Sequence, residues 1–177
     1  MIDKIIDEVD SIEYGFLDSN GYNIINDEEK WEKEFYLFYH LQSPVELRQS
    51  KVGVCWDQVE LEREMFLNTP YKFYTYFIYI NEDDMLPSHT FLVYEDKNKY
   101  YWFEHSWNDY RGIHEYTDLD SLLLDVVNKF YKSHPEVSVD SKYYLYKYNK
   151  PKYGISCDEF YDYIYTQERV YLTNINC

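Results

Sequence analysis

The sequence predicts an α+β fold in which N-terminal helices pack on a mostly antiparallel sheet. Apolar residues recur at helical spacing through much of the first 67 residues, whereas residues 71–104 are rich in aromatic and β-branched side chains over strand-length runs. Helices followed by a group of strands are typical of α+β domains. A chain of 177 residues can bury a self-sufficient core, so we expect one domain over residues 1–177.

The helical half is predicted from periodicity and from capping signals. Helices are expected at residues 2–13, 27–41 and 55–67. The sequence Ser43-Pro-Val-Glu46 is a capping box with proline at the first helical position, so a short helix begins after Ser43. Gly53 is expected to form a turn that delivers the chain to the next helix, with Cys55 at its start.

The second half is predicted to be mostly strands. Strands are expected at residues 71–80, 89–94, 99–104, 113–116 and 143–148. The second and third of these form a hairpin around Asp96-Lys97-Asn98. A helix is expected at residues 119–131, capped by Asp118 or Asp120, and another follows the capping box Ser156–Glu159.

Charge and composition restrict the class of partner. The net charge of −16 disfavours binding to nucleic-acid backbones or to anionic membranes. The sequence contains no apolar run of the roughly 18 residues that a membrane span requires, and its charged start does not resemble a signal peptide. Three cysteines without metal-like spacing suit a reducing compartment. We therefore expect a cytoplasmic protein that binds neither nucleic acid nor membranes.

Cys55, His89 and Glu104 are the candidate catalytic residues. Cys55 lies at a predicted helix N-terminus, where unpaired N–H groups and a partial positive charge favour the thiolate, which is the nucleophilic form. His89 begins one strand of the predicted hairpin and Glu104 ends the other. A thiol, an imidazole and a carboxylate can act as nucleophile, base and orienting group.

The hairpin register decides whether His89 and Glu104 can meet. Residues that pair directly across a hairpin have a constant sum of residue numbers. A sum of 193 makes the two residues direct partners, and a sum of 195 makes them diagonal neighbours on one face. An even sum would place them on opposite faces. The sequence leaves the register open, because Asn98 can adopt a left-handed bulge.

At these positions the chain resembles the transglutaminase-like family of papain-type cysteine enzymes. The matching pieces are Gly53-Val-Cys55-Trp56, Ser88-His89 and Phe103-Glu104, and the resemblance covers about residues 43–106. The family usually has aspartate as its third member, where this chain has Glu104. The resemblance implies a papain-type core and a Cys-His-Glu triad that acts on the amide bond of a protein or peptide substrate through a thioester, without a cofactor. Peptidases, transglutaminases and deglycosylating amidases all remain open.

Further residues are candidates for the oxyanion donor and for the cleft wall. Gln49 lies six residues before Cys55, a spacing similar to that of the papain-type glutamine, and the backbone N–H of Cys55 is a donor by position. Trp56 is a candidate wall of the cleft, with core packing as the alternative. Gln58 is expected to be a solvated helix residue.

Two alternatives compete with a thiol enzyme. His89, Glu104, His105 and His114 could gather zinc, although no paired metal motif is present and Glu104 and His105 should point to opposite faces of a strand. We therefore expect no metal. The second alternative is a noncatalytic binding or scaffold domain that retains the fold, since function resides in sites and not in folds.

Overall fold

The computed structural model describes residues 1–81, 87–138 and 140–172, and it has an α+β fold. The chain separates into two compact units. The first unit contains residues 1–70, 105–111 and 150–166, and the described part of the second contains residues 71–81, 87–104, 112–138, 140–149 and 167–172. The expectation of a single domain stays a prediction.

The predicted helices and strands occur in the predicted order, with three differences. The helix predicted over residues 2–13 ends at Val9, and the helix predicted over residues 27–41 is divided into three short helical segments. The strands Glu13–Tyr14, Val52–Gly53 and Glu168–Val170 were not predicted. The helices are α1 (Ile2–Val9), α2 (Glu28–Lys30), α3 (Tyr36–Phe38), α4 (Pro44–Ser50), α5 (Cys55–Phe66), α6 (Leu119–Ser133) and α7 (Cys157–Tyr165), with a π-helical turn at Trp31–Phe35 and a 3₁₀ turn at Asn108–Tyr110. The strands are β1 (Glu13–Tyr14), β2 (Val52–Gly53), β3 (Lys72–Asn81), β4 (Ser88–Asp96), β5 (Lys99–Glu104), β6 (Gly112–Tyr116), β7 (Lys142–Tyr148) and β8 (Glu168–Val170).

The first unit is organised around α5, which is buried on all sides. Nine consecutive residues, Cys55 to Arg63, are buried, together with Phe66. Arg63 forms two hydrogen bonds to the buried carboxylate of Glu60, at 2.9 and 3.2 Å, so this pair satisfies its charges inside the unit. The predicted capping box begins α4: the Ser43 hydroxyl accepts from the Glu46 N–H, and the Glu46 carboxylate accepts from the Ser43 N–H.

The second unit is built on an antiparallel sheet. Six strands of the described part lie in the order β6-β5-β4-β3-β7-β8, and every neighbouring pair is antiparallel. Helix α6 packs against β5 and β6. Asp118 caps α6, and the predicted apolar face is buried, namely Leu122, Leu123, Val126, Val127 and Phe130. The predicted helix and sheet of this unit are therefore confirmed.

The hairpin of β4 and β5 turns at Lys97 and Asn98. Both residues have positive φ, 50° and 63°, as in the type I′ turns that match the twist of the flanking strands. Leu92 pairs with Phe103, so the residue numbers of direct partners add up to 195. His89 and Glu104 are therefore diagonal neighbours on one face, which was one of the two registers that allow them to meet.

Candidate active site

Cys55 is the first residue of α5, as predicted. Val54 is the N-cap residue, with an extended backbone at φ −79° and ψ 175°. The chain reaches Val54 through β2, which pairs in parallel with β1. The Cys55 side chain is buried, with 4% of the residue exposed. Its position puts the thiol at the end of α5 where the helix dipole favours negative charge.

Gly53 does not form the turn that was predicted before Cys55. It lies in β2, and the left-handed residue is Lys51, with φ 60°, at the end of α4. A Cβ atom at Gly53 would lie 2.6 Å from Leu47 Cδ1 and 2.9 Å from Asp57 Cβ. The prediction of a glycine turn was wrong, and the position requires glycine because α4 and α5 approach the backbone there too closely for a side chain.

Asp57 fixes the segment that carries Cys55. Its carboxylate accepts hydrogen bonds from the Tyr39 hydroxyl, the Gln42 N–H and the Val54 N–H, each at 2.9 Å. Burial raises the pKa of Asp57 to about 6, while the hydrogen bonds from Gln42, Tyr39 and Val54 act in the opposite direction. Asp57 therefore joins the chain before α4 to the first turn of α5.

Gln58 is buried, and the prediction of a solvated residue was wrong. It is 1% exposed, and its side-chain amide donates to the Gly53 carbonyl at 2.9 Å. Its carbonyl oxygen lies 2.8 Å from Nδ1 of His105, which is 3% exposed. Helical periodicity could not find this role, because α5 has no solvated face.

His89 and Glu104 form a buried hydrogen-bonded pair in the second unit. His89 Nε2 lies 2.8 Å from Glu104 Oε2, and the two residues are 6% and 4% exposed. Trp102 Nε1 also donates to Glu104 Oε2, at 3.2 Å. An ionised carboxylate only accepts hydrogen bonds, so His89 Nε2 is the donor in this pair.

Trp56 and Gln49 have different environments. Trp56 is 5% exposed and stacks on Phe160, with ring centroids 4.4 Å apart, so it packs in the core of the first unit. Gln49 is exposed on α4 and lines a concave surface together with Tyr39 and His40. The role of Gln49 as an oxyanion donor stays a prediction.

The histidines of the zinc alternative have other partners. His114 stacks on Trp102 with centroids 4.7 Å apart, and His105 contacts Gln58 and Asp10. Within residues 1–81, 87–138 and 140–172, no three His, Cys, Asp or Glu side chains are grouped so that they could hold a metal ion.

The structure thus brings two of the three predicted catalytic residues together. Cys55 belongs to the first unit, and the His89–Glu104 pair belongs to the second. The approach of Cys55 to His89 stays a prediction. Sequence reasoning missed Asp57, Gln58 and His105 as partners within the first unit, and the signal for Asp57 was its place three residues after the N-cap, where an acidic side chain reaches back.

Comparisons of the chain with protein-family models, with curated proteins and with solved structures found no match. Among the described helices, none has both the length and the apolar character needed to cross a membrane.

Proposed function

We propose that the protein is a cysteine-dependent acyl-transfer enzyme that acts on an amide bond of a protein or peptide. Cys55 is the nucleophile, His89 the general acid and base, and Glu104 the residue that orients the imidazole. The observation that supports this most strongly is the buried pair of His89 and Glu104, whose 2.8 Å hydrogen bond orients the imidazole with Nε2 toward the carboxylate.

The first half of the reaction forms a thioester. His89 Nδ1 takes the thiol proton, and Cys55 Sγ attacks the amide carbonyl carbon. The negative charge that develops on the carbonyl oxygen is stabilised by the backbone N–H of Cys55, with Gln49 as a candidate second donor. The C–N bond then breaks, and the imidazolium returns its proton to the leaving amine. Glu104 stabilises the imidazolium throughout.

The second half releases the acyl group. Water gives its proton to His89 Nδ1 and attacks the thioester carbonyl, so a carboxylic acid leaves and the thiol of Cys55 is restored. A lysine amine that attacks instead gives amide transfer. Neither route consumes a cofactor, because the acyl group changes only its bonding partner.

One observation favours a noncatalytic binding or scaffold domain as the second candidate. Cys55 is only 4% exposed, and buried free cysteines often act as small apolar side chains. The two candidates differ in the accessibility of the thiol to a substrate-like molecule.

Probe competition separates the two functions. A peptide library would be tested for its ability to slow the labelling of Cys55 by a thiol-reactive probe, with mass spectrometry locating the label. A catalytic cleft predicts competition by amide substrates and a covalent acyl adduct on Cys55. Cys55→Ser should abolish both, and Cys157→Ser serves as the matched control. Absence of any label or adduct on Cys55 in the native protein would favour the scaffold.

A further inference from the structure

His105 has a hydrogen-bond acceptor at each ring nitrogen. Nδ1 lies 2.8 Å from Gln58 Oε1, and Nε2 lies 3.0 Å from Asp10 Oδ1. All three residues belong to the first unit, and His105 is 3% exposed. A neutral imidazole has one donor and one acceptor nitrogen, so it can satisfy only one of these partners.

The Gly53 carbonyl fixes the orientation of the Gln58 amide. Carbonyl oxygens only accept hydrogen bonds, and the Gln58 Nε2 group donates to Gly53 at 2.9 Å. Rotating the amide would bring two oxygens together and would turn N–H groups toward His105. The Gln58 oxygen therefore faces His105, and Nδ1 must carry a proton.

Asp10 supplies negative charge at the other nitrogen. It is the residue that ends α1, and its side chain is about half exposed, at 49%. The Arg111 guanidinium lies 3.8 Å from the same carboxylate, and Arg111 Nε also donates to the His105 carbonyl at 3.1 Å. Asp10 is thus a carboxylate beside the Arg111 cation, and a protonated Nε2 can donate to it.

We propose that His105 is held as the imidazolium and, through Gln58, acts as a positioning residue for Cys55. The inference rests on the proposed function of Cys55. The charged ring holds the Gln58 oxygen, the Gln58 amide holds the Gly53 carbonyl, and Gly53 lies two residues before the nucleophile. Asp10 holds the charge on the ring, and the hydrogen bonds from Nδ1 to Gln58 and from Gln58 to Gly53 fix the strand that precedes the Cys55 N–H and thiol.

The protonation state is measured on the intact protein by NMR of ¹⁵N-histidine. At about pH 7.5, roughly one pH unit above the pKa of an unperturbed histidine, His105 should show two protonated ring nitrogens. Asp10→Asn should leave only Nδ1 protonated, because a neutral amide no longer requires a cation. Asp7→Asn, an exposed site on the same helix, is the matched control and should leave both protons. A singly protonated His105 in the unmodified protein would overturn the proposal.

The positioning role is tested with two variants, each of which keeps one of the two hydrogen bonds of the His105 ring. The amide nitrogen of His105→Asn replaces Nδ1 and can donate to Gln58, whereas that of His105→Gln replaces Nε2 and can donate only toward Asp10. We expect the alkylation rate of Cys55 to stay within about twofold for His105→Asn and to fall by about tenfold for His105→Gln, which leaves the Gln58 oxygen unsatisfied. Equal effects of the two variants, or no effect of either, would contradict the positioning role.

The alkylation rate of Cys55 in His89→Gln, measured together with the two His105 variants, distinguishes a failure of this inference from a failure of the proposed function. Slower alkylation of Cys55 in His105→Gln but not in His89→Gln would contradict the proposed function and would leave the positioning role intact. The reverse pattern would overturn the positioning role and would leave the function intact.

Discussion

His89 and Glu104 meet through a 2.8 Å hydrogen bond although they are diagonal and not direct neighbours across β4 and β5. Continuing the register places Glu104 opposite Phe91, two residues from His89. A diagonal separation of 7–8 Å between Cα atoms is larger than that of a direct pair, and the long glutamate side chain spans it. The reach of the glutamate side chain is therefore what allows these two diagonal neighbours to form a hydrogen bond.

Glu104→Gln tests the contribution of the carboxylate charge. His89 and Trp102 both donate to Oε2, so the amide oxygen is favoured at that place and the imidazole tautomer should be kept. What is lost is the charge that stabilises the imidazolium. We expect the alkylation rate of Cys55, and the turnover of any substrate found, to fall by about tenfold.

The double variant Glu104→Gln/Trp102→Phe removes the donor that selects the amide oxygen. The amide can then present its NH₂ group to His89, and the loss should grow to about 10²-fold or more. Glu115→Gln on the neighbouring strand is the control, and circular dichroism checks the fold. Unchanged rates in both Glu104 variants would remove Glu104 from the site.

Cys55 and Cys157 provide an internal comparison of thiol reactivity. Each is the first residue of a helix, and they are 4% and 3% exposed. Burial raises the pKa of Cys157 to about 12, with Asp158 and Asp57 acting in the same direction. A helix start and similar burial therefore do not by themselves make a reactive thiol.

In the proposed mechanism His89 takes the proton of Cys55, so Cys55 should be alkylated faster than Cys157 near neutral pH. Mapping of limited iodoacetamide labelling by mass spectrometry measures both rates in one sample. Cys177, the third cysteine, lies outside the described residues. Equal labelling of Cys55 and Cys157 in the native protein would count against a catalytic thiol.

Gly53→Ala should destabilise the fold. The added Cβ would lie 2.6 Å from Leu47 Cδ1 and 2.9 Å from Asp57 Cβ, and Leu47 is fully buried, so the packing must shift. Overpacking of this kind costs about 1–3 kcal/mol in the free energy of unfolding. Urea denaturation measures it, and Gly53→Ala/Leu47→Ala, which opens space beside the new methyl group, is the matched variant. A urea midpoint for Gly53→Ala equal to that of the unmodified protein would show that α4 and α5 accommodate the added methyl group without a loss of stability.

The raised pKa of Asp57 leads us to expect that the free energy of unfolding depends on pH. Its pKa is raised by burial from 3.8 to about 6. Because the folded state binds the proton more tightly than the unfolded chain, the contribution of Asp57 is fully present below about pH 4 and is lost as the pH rises through 6. A rise of the Asp57 pKa from 3.8 to about 6 corresponds to about 3 kcal/mol in the free energy of unfolding.

The stability difference between the unmodified protein and Asp57→Asn isolates this contribution. It should change by about 1 kcal/mol in favour of the unmodified protein when the pH falls from 7 to 5. Urea denaturation of both proteins at the two pH values measures the change. Asp125, a carboxylate whose pKa is lowered mainly by Lys129 and Tyr116 against the effect of burial, provides the contrasting control Asp125→Asn. A difference for Asp57→Asn that does not vary with pH would contradict the raised pKa.

The sequence by itself determined most of the helices and strands. Capping boxes at Ser43 and Ser156 and the period of α6 are local signals, and local hydrogen bonds and one buried face are sufficient to set them. For His89 and Glu104, the sequence established only that a contact requires an odd register.

Tertiary structure decided the register, the role of Gly53 and the partners of α5. A two-residue turn with positive φ selected the sum of 195, which the sequence had left open. Gly53 takes its role from the close approach of Leu47 and Asp57. Asp57 takes its role from Tyr39 and Gln42, and Gln58 takes its role from His105, which is 47 residues away in sequence. A helix that is buried on all sides carries no solvated face to reveal such roles, because every position then depends on what packs against it.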